Sequence, residues 1–358
     1  MGVGVNTVVA GGGALLGEHL SPVDDAVVAL AGGSISFAGE AGAAPPAGEA
    51  ELVDAAGLTL MPGFIDSHVH IGYAAPIDVL VGGVTTVRDL GWPPEDIWGL
   101  VSDSRSDDFE GPQILAAGQM LTVPGGYPTR AAWAPPGTGR AIRCAAEGLE
   151  AVAEQAESGA CVVKVALNPL VGPTLDARML GAIVSAAHDR GLRVTGHVYG
   201  LSELHKALDA GIDELAHMLM SPEHIPAATI ERMVDQTMAV VPTLSCFFDD
   251  AQEIAIANLR TFVDWGGEVV YGTDLGNEGP RPGIDAREVD ALSRSGLSGA
   301  RIVAAATVDA ARYLGLNDRG VLEPGRRADV VGVRWTPGDA ARGLTEVALV
   351  WRAGRRIR

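Results

Sequence analysis

Cysteine is scarce in this chain. Cys144, Cys161 and Cys246 are its only three, they lie far apart, and no CxxC pair exists. Neither a disulfide framework nor a thiolate metal cage is supported. Aromatic residues are thin as well, at 5%, and with abundant Gly and Ala this suits close helix-on-strand packing better than a sandwich fold alone. Positive charge is in deficit. Lys and Arg number 26 against 45 Asp and Glu, for a formal net charge of −19, and the one compact basic run is the terminal Arg355, Arg356 and Arg358. Such a surface repels phosphate backbones and anionic lipid, which argues against nucleic-acid and membrane partners. No stretch approaches the ~20 consecutive apolar residues of a membrane-spanning helix, and the opening Met1-Gly-Val-Gly-Val-Asn-Thr has no basic segment or sustained apolar run. The expectation is a cytoplasmic protein whose partner is a small-molecule substrate, with a homo-oligomer left open.

What the chain does have is apolar residues, 47% of 358, ample for a large core. A barrel of ~250 residues with a smaller companion would account for the length, as would two medium domains. Residues 1–58 read as short strands with turn punctuation: Thr7-Val-Val-Ala, Ala26-Val-Val-Ala-Leu and Ser34-Ile-Ser-Phe, then Pro45-Pro and Gly48. The same texture returns in Ala328-Asp-Val-Val-Gly-Val-Arg-Trp and Val347-Ala-Leu-Val-Trp-Arg. A small β-sandwich domain built from both termini, 1–58 and 316–358, is therefore expected.

Between them, 59–315 alternates apolar strands with amphipathic helices. Candidate strands are 60–70, 84–89, 113–118, 161–166, 192–197, 212–217, 238–243 and 268–273, with helix-period segments at 142–158, 175–190, 201–210 and 222–235. This is an α/β pattern with the strand count of a (β/α)8 TIM barrel, and near-continuous apolar strands suit parallel pairing. Thr122 to Arg140, rich in Gly and Pro, should form a long loop over the barrel mouth.

Titratable residues recur at one end of those strands. The first ends Phe64-Ile-Asp-Ser-His68-Val-His70, and residues two apart on a strand share a face. Lys164 sits in Cys161-Val-Val-Lys-Val-Ala, and His197, His217 and Asp274 end the fifth, sixth and eighth strands. Taken singly, each has a mundane explanation: a hydrogen-bonded His, a helix-capping Asp, an edge-strand Lys. Taken together they converge on the C-terminal face of a barrel, where such folds build their sites. His19, His188, His205 and His224 fall in loops or on helices and read as surface residues.

These motifs carry a resemblance. Met61-Pro-Gly-Phe-Ile-Asp-Ser-His-Val-His resembles the opening signature of the amidohydrolase superfamily. Gly83-Val-Thr-Thr-Val-Arg-Asp-Leu-Gly91, Gly111-Pro-Gln-Ile-Leu-Ala-Ala-Gly118, Gly196-His-Val-Tyr-Gly200, Ala210-Gly-Ile-Asp-Glu-Leu-Ala-His217, Tyr271-Gly-Thr-Asp274 and Gly320-Val-Leu-Glu-Pro-Gly-Arg-Arg-Ala-Asp-Val-Val look like its branch of imidazolonepropionase, Xaa-Pro dipeptidase-like and Xaa-Arg or Xaa-Lys dipeptidase-like enzymes. The resemblance implies a centre of two divalent metal ions, zinc first among them, with His68, His70 and Asp274 on the buried ion and His197 and His217 on the other. It implies that Lys164 is carbamylated and bridges the ions, which suits a buried lysine because the neutral amine is the form that reacts with carbon dioxide. It implies hydrolysis of an amide C–N bond by a metal-bridging hydroxide, in a peptide, an N-acyl amino acid or a cyclic amide. Asp274 would serve as base and then acid.

Substrate contacts are less marked. The family's peptidases often carry Gly-Gly-His-Gly after the third strand, where this chain has Gly125-Gly-Tyr127-Pro. Tyr127, Arg130 and Tyr199 are the candidates, with Trp133 beside them and Arg281 as a further cation. The segment from Leu244 to Asn258 is short beside the family pattern. The competing readings are a mononuclear deaminase or imidazolone-type hydrolase, against which Lys164 argues, a lactonase or phosphotriesterase-like enzyme on the same centre, and a non-enzymatic scaffold, which the complete ligand set disfavours.

Overall fold

The structure, a computed structural model, describes residues 6–220 and 224–358. Met1–Val5 and residues 221–223, where the expected helix 222–235 begins, lie outside them.

Both chain ends fold into one eight-stranded sheet. Its order is Arg355–Arg356, Val347–Arg352, Val330–Val333, Thr59–Pro62, Thr7–Leu16, Ser21–Ala31 and Ser34–Glu40, with Glu51–Asp54 also on Thr7–Leu16. The long strand Thr7–Leu16 changes partner along its length. Thr7 to Ala10 pair in parallel with Glu51–Asp54, whereas Gly13 and Ala14 pair with Thr59 and Leu60. Register shifts against Ser21–Ala31 fall between these two halves. Gly11 there has φ +85°, and a Cβ on Gly12 would lie 2.3 Å from the Ala55 carbonyl oxygen. Only glycine permits this bulged crossing. The strands expected to form the small β-sandwich are joined in this one ladder through the glycine bulge, with Val9, Val28, Leu30, Ile35, Leu60 and Trp351 packed in its core.

The expected strand 60–70 is two strands. Thr59–Pro62 pairs antiparallel with Val330–Val333 in the terminal sheet, and after Gly63 the chain restarts as Phe64–Val69. This second strand leads a parallel set with Val84–Asp89 and Gln113–Ala116. A second parallel set runs Gly139–Ala141, Met120–Thr122, Val163–Leu167, Val194–Val198, Glu214–Leu215 and Ala239–Val240. Backbone hydrogen bonds join the sets: Cys161 N donates to Ala116 O at 2.9 Å, Val270 N to Val240 O at 3.0 Å and Ser67 N to Tyr271 O at 2.9 Å. The expected strand 268–273 carries a single isolated bridge, Val240 to Val269, with a second, Val69 to Leu275, just beyond it, rather than a regular strand.

Helices alternate with these strands for legible reasons. Ala177–His188 buries Leu180, Ile183, Val184 and Ala187 at helical spacing, and Asp176 caps it by accepting from Met179 N. Leu201–Ala210 stops at Gly211, whose φ of 77° is left-handed. No helix among the described residues is long and apolar enough to cross a membrane.

Gly12→Ala should lower the melting temperature by about 4 °C, corresponding to ~2 kcal/mol of overpacking against backbone atoms. Gly42→Ala, where a Cβ meets nothing within 4 Å, is the control. Equal melting curves for the two variants would show that the bulge does not require glycine.

Candidate metal centre

The first strand presents His68 and the residue just past its end, His70, to one face, both buried. Asp66 ties that strand to the segment carrying Asp274. Its Oδ1 accepts from His68 N and from Thr273 N, each at 3.1 Å, and its Oδ2 accepts from the Thr273 hydroxyl at 2.6 Å. Asp274 N in turn donates to His68 O at 2.8 Å. Asp274 itself has φ +61°, a left-handed conformation that a non-glycine residue keeps only when its surroundings enforce it.

The protonation pattern follows from the hydrogen bonds. His68 Nδ1 lies 2.8 Å from Ala216 O and His70 Nδ1 3.0 Å from Gly91 O. A carbonyl only accepts, so both Nδ1 atoms carry hydrogen, and each ring in its neutral form presents a lone pair at Nε2. Those two Nε2 atoms lie 3.1 and 3.3 Å from the same oxygen, Asp274 Oδ1. Burial pushes the His68 pKa down to about 4, so a proton is a poor bridge there. For His70 burial acts in the same sense, but the Asp274 carboxylate outweighs it and raises the pKa. Despite its proximity, His68 Nε2 makes no hydrogen bond of acceptable geometry, and neither does Asp274 Oδ1. A buried His68 lone pair facing a carboxylate oxygen with no proton between them, and His70 beside both, are what a cation satisfies.

The remaining ligand candidates stand alongside. The His217 ring centroid is 4.7 Å from that of His68 and 4.8 Å from that of His197. His217 Nδ1 bonds the Thr243 hydroxyl at 2.8 Å, and burial holds its pKa well below the ordinary value. Burial likewise pushes His197 down to about 3. Its ring stacks on Tyr127 at 4.6 Å, and its Nε2 lies 3.3 Å from Asn168 Nδ2. Lys164 lies on the neighbouring strand, in parallel register with Thr195, two residues before His197. It is fully buried and its Nζ has no partner; burial pushes its pKa down to about 7, so much of it is neutral amine at physiological pH. Asp274 is held well below the usual carboxylate range, because His68, His70 and His217 outweigh a burial that acts the other way. Ligand atoms of His68, His70 and Asp274 lie within 4.8 Å of one another, as do those of His217, Cys246 and Asp274.

A cavity of about 420 Å³ opens over this cluster. Tyr127 and Tyr199 line it. Arg130 does not: it is exposed, and its guanidinium sits beside Gly125. Trp133 lies over His70 at 4.9 Å, while Arg281 lines a neighbouring cavity. The short segment after the seventh strand is a wall. The turn Leu244–Cys246 and helix Asp249–Asp264 bring Phe247, Phe248 and Ala251 to the cavity.

Several positioning groups were not anticipated. Arg88 and Glu214 form a fully buried pair, Arg88 Nη2 donating to both carboxylate oxygens at 2.7 and 2.9 Å. Arg88 Nε also donates to Ser67 O at 2.7 Å, and the Thr195 hydroxyl to Glu214 Oε1 at 2.6 Å. Four strands of the parallel sets are thereby joined beside the ligand candidates. Asp89 accepts from Gly91 N at 3.0 Å and Ile71 N at 2.8 Å, fixing the carbonyl that orients His70. Thr243, at φ +50°, orients His217. The signal for these residues was polarity inside apolar strands, as in Val87-Arg-Asp-Leu and Asp213-Glu-Leu-Ala.

Parallel strands alternating with helices, crowned by buried histidines and an aspartate, define the class of metal-dependent hydrolases. The sequence profile of the amidohydrolase family matches residues 59–357, and the chain belongs to this family, whose members hydrolyse C–N bonds. An uncharacterized protein of Mycobacterium tuberculosis is 30% identical over 316 residues, 77% of this chain and 80% of its own. The imidazolonepropionase of Deinococcus deserti is 27% identical over an alignment of 400 residues, 95% of this chain and 94% of its own. Among solved structures, a Xaa-Pro dipeptidase with bound methionine matches with a TM-score of 0.81 at 21% identity, over 98% of this chain and 99% of the other. That likeness is one of fold.

Thr243→Val keeps the shape but removes the hydroxyl that orients His217. It should weaken metal retention about 10- to 100-fold, measured by chelator competition. Retention equal to that of the unaltered protein would show that Thr243 does not position a ligand.

Proposed function

We propose that this protein hydrolyses an amide C–N bond at a centre of two divalent ions, zinc first among them. His68, His70, His197, His217 and Asp274 would hold the ions, with a carbamylated Lys164 as the bridging ligand. In this proposal the parallel strands close into a (β/α)8 barrel, which the bonds from Val270 to Val240 and from Ser67 to Tyr271 support. The barrel carries the site beside a smaller β-domain formed by the two ends of the chain, 1–58 with the strand Thr59–Pro62 added, and 316–358. All three cysteines are free, in keeping with a cytoplasmic setting.

The observation that carries the proposal is the trio of buried atoms without hydrogen-bond partners, His68 Nε2, Asp274 Oδ1 and Lys164 Nζ. Left as they stand, each forfeits its solvation with nothing in return. When bound, the ions would polarise the scissile carbonyl and make water acidic enough to attack near neutral pH. The protein's own groups supply the rest. Lys164, largely neutral, would attack carbon dioxide through its amine lone pair and release a proton, becoming an anionic carbamate. His68 and His70 Nε2 crowd Asp274 Oδ1 at 3.1 and 3.3 Å, so Oδ2 is the oxygen left to take a proton and hand it to the leaving nitrogen. The Tyr127 phenol, whose pKa burial raises, stays neutral and can donate a hydrogen bond to a substrate oxygen.

Lys164→Ala tests this assignment. Bound metal should fall and activity should drop by about 100-fold, with partial rescue by short carboxylic acids such as acetate or propionate. Unchanged metal content with full activity would remove Lys164 from the centre.

A further inference from the structure

We infer that the cavity over the metal centre selects uncharged amides, neutral on both the acyl and the amine side, and discriminates against substrates that carry a free carboxylate. The inference rests on the amide-hydrolase reading and adds the substrate class to it.

The walls point this way. Met218, Leu219, Met220, Phe247, Phe248 and Ala251 form an apolar part of the lining, a surface suited to alkyl or aryl groups. The polar side chains away from the ligand cluster are Tyr127, Tyr199 and Asn277. These offer neutral donors and acceptors that match an amide. No Lys or Arg is among the described residues of the lining. A carboxylate brought among such walls loses its hydration and finds no guanidinium or ammonium to replace it.

The available cations are placed elsewhere. Arg130 is exposed beside Gly125. Arg281 and Arg287 line the neighbouring cavity, and the Arg287 guanidinium is occupied, 4.5 Å over the Phe248 ring and donating to Phe247 O at 3.3 Å. Lys164 is fully buried within its strand and absent from the lining. The whole molecule acts in the same sense, since a net charge of −19 disfavours the approach of anions.

Two matched substrate pairs test the inference on zinc-loaded protein. Hexananilide and glutaranilic acid share a leaving amine and differ at the end of the acyl chain. N-acetylphenethylamine and N-acetyl-L-phenylalanine differ by one carboxylate on the amine side. Amine release, followed by chromatography, should give a kcat/KM at least about tenfold higher for the neutral member of each pair. Equal values, or a preference for the acids through contact with the metal, would overturn the inference. Ala251→Arg places a guanidinium on the wall and should shift the ratio toward the acids by about fivefold or more; an unmoved ratio would mean that wall charge does not set the selectivity. If none of the four compounds is cleaved, amide hydrolysis itself fails. Thermal shifts with the same compounds then still decide the selectivity: greater stabilisation by the neutral members supports it, and equal or greater stabilisation by the acids overturns it.

Discussion

The structure turns on a single electrostatic constraint. Two imidazole nitrogens, at 3.1 and 3.3 Å, face one oxygen of a buried carboxylate, with a second pair of imidazoles and an unpartnered amine packed alongside. In a low-dielectric interior such a cluster is tolerable only if positive charge is shared among its members. A proton can serve at His70, whose pKa Asp274 raises, but not well at His68, His197 and His217, which burial pushes toward the neutral form. Divalent cations serve well, because imidazole nitrogen and carboxylate oxygen suit zinc and related ions.

The scaffold beneath holds that geometry in place. Asp66 ties the first strand to the Asp274 segment through three hydrogen bonds. The Arg88–Glu214 pair links the second and sixth parallel strands and reaches the first and fifth through Ser67 and Thr195. A buried ion pair of this kind adds little net stability against a well-packed apolar alternative, so its value here is to fix where four strand ends lie. The carbonyls of Ala216 and Gly91 set the imidazole tautomers, and φ values of 61° at Asp274 and 50° at Thr243 place backbone strain beside the reacting groups, where it is commonly found.

Much of this was legible before any coordinates. The strand Val84–Asp89 and the helix Leu201–Ala210 occupy the residues that periodicity assigns them, because one is a short apolar run bounded by glycine and the other has a clean apolar stripe ending at Gly211. Ligand candidates were legible because a His or Asp at the end of an apolar strand is conspicuous, and because the family motifs surround them. The division of 60–70 into two strands was hidden. Both halves are fully buried, so no change in polarity marks the break, and only Pro62-Gly63 signals it. The exposed position of Arg130 was hidden for a related reason: the loop's composition does not say which side chain turns toward the cavity. Asp66, Arg88 and Glu214 act across sequence separations of 126 and 207 residues, which no local pattern reveals. The cavity wall of Phe247, Phe248 and Ala251 emerged only when the segment after the seventh strand proved to be a turn and a helix.

Metal analysis of the purified protein, equilibrated with zinc and freed of loosely bound ions, tests the central claim most directly. The account predicts about two ions per chain. One ion per chain would contradict the bridged centre, and none would leave the buried lone pairs facing one another without the cations on which the whole account depends.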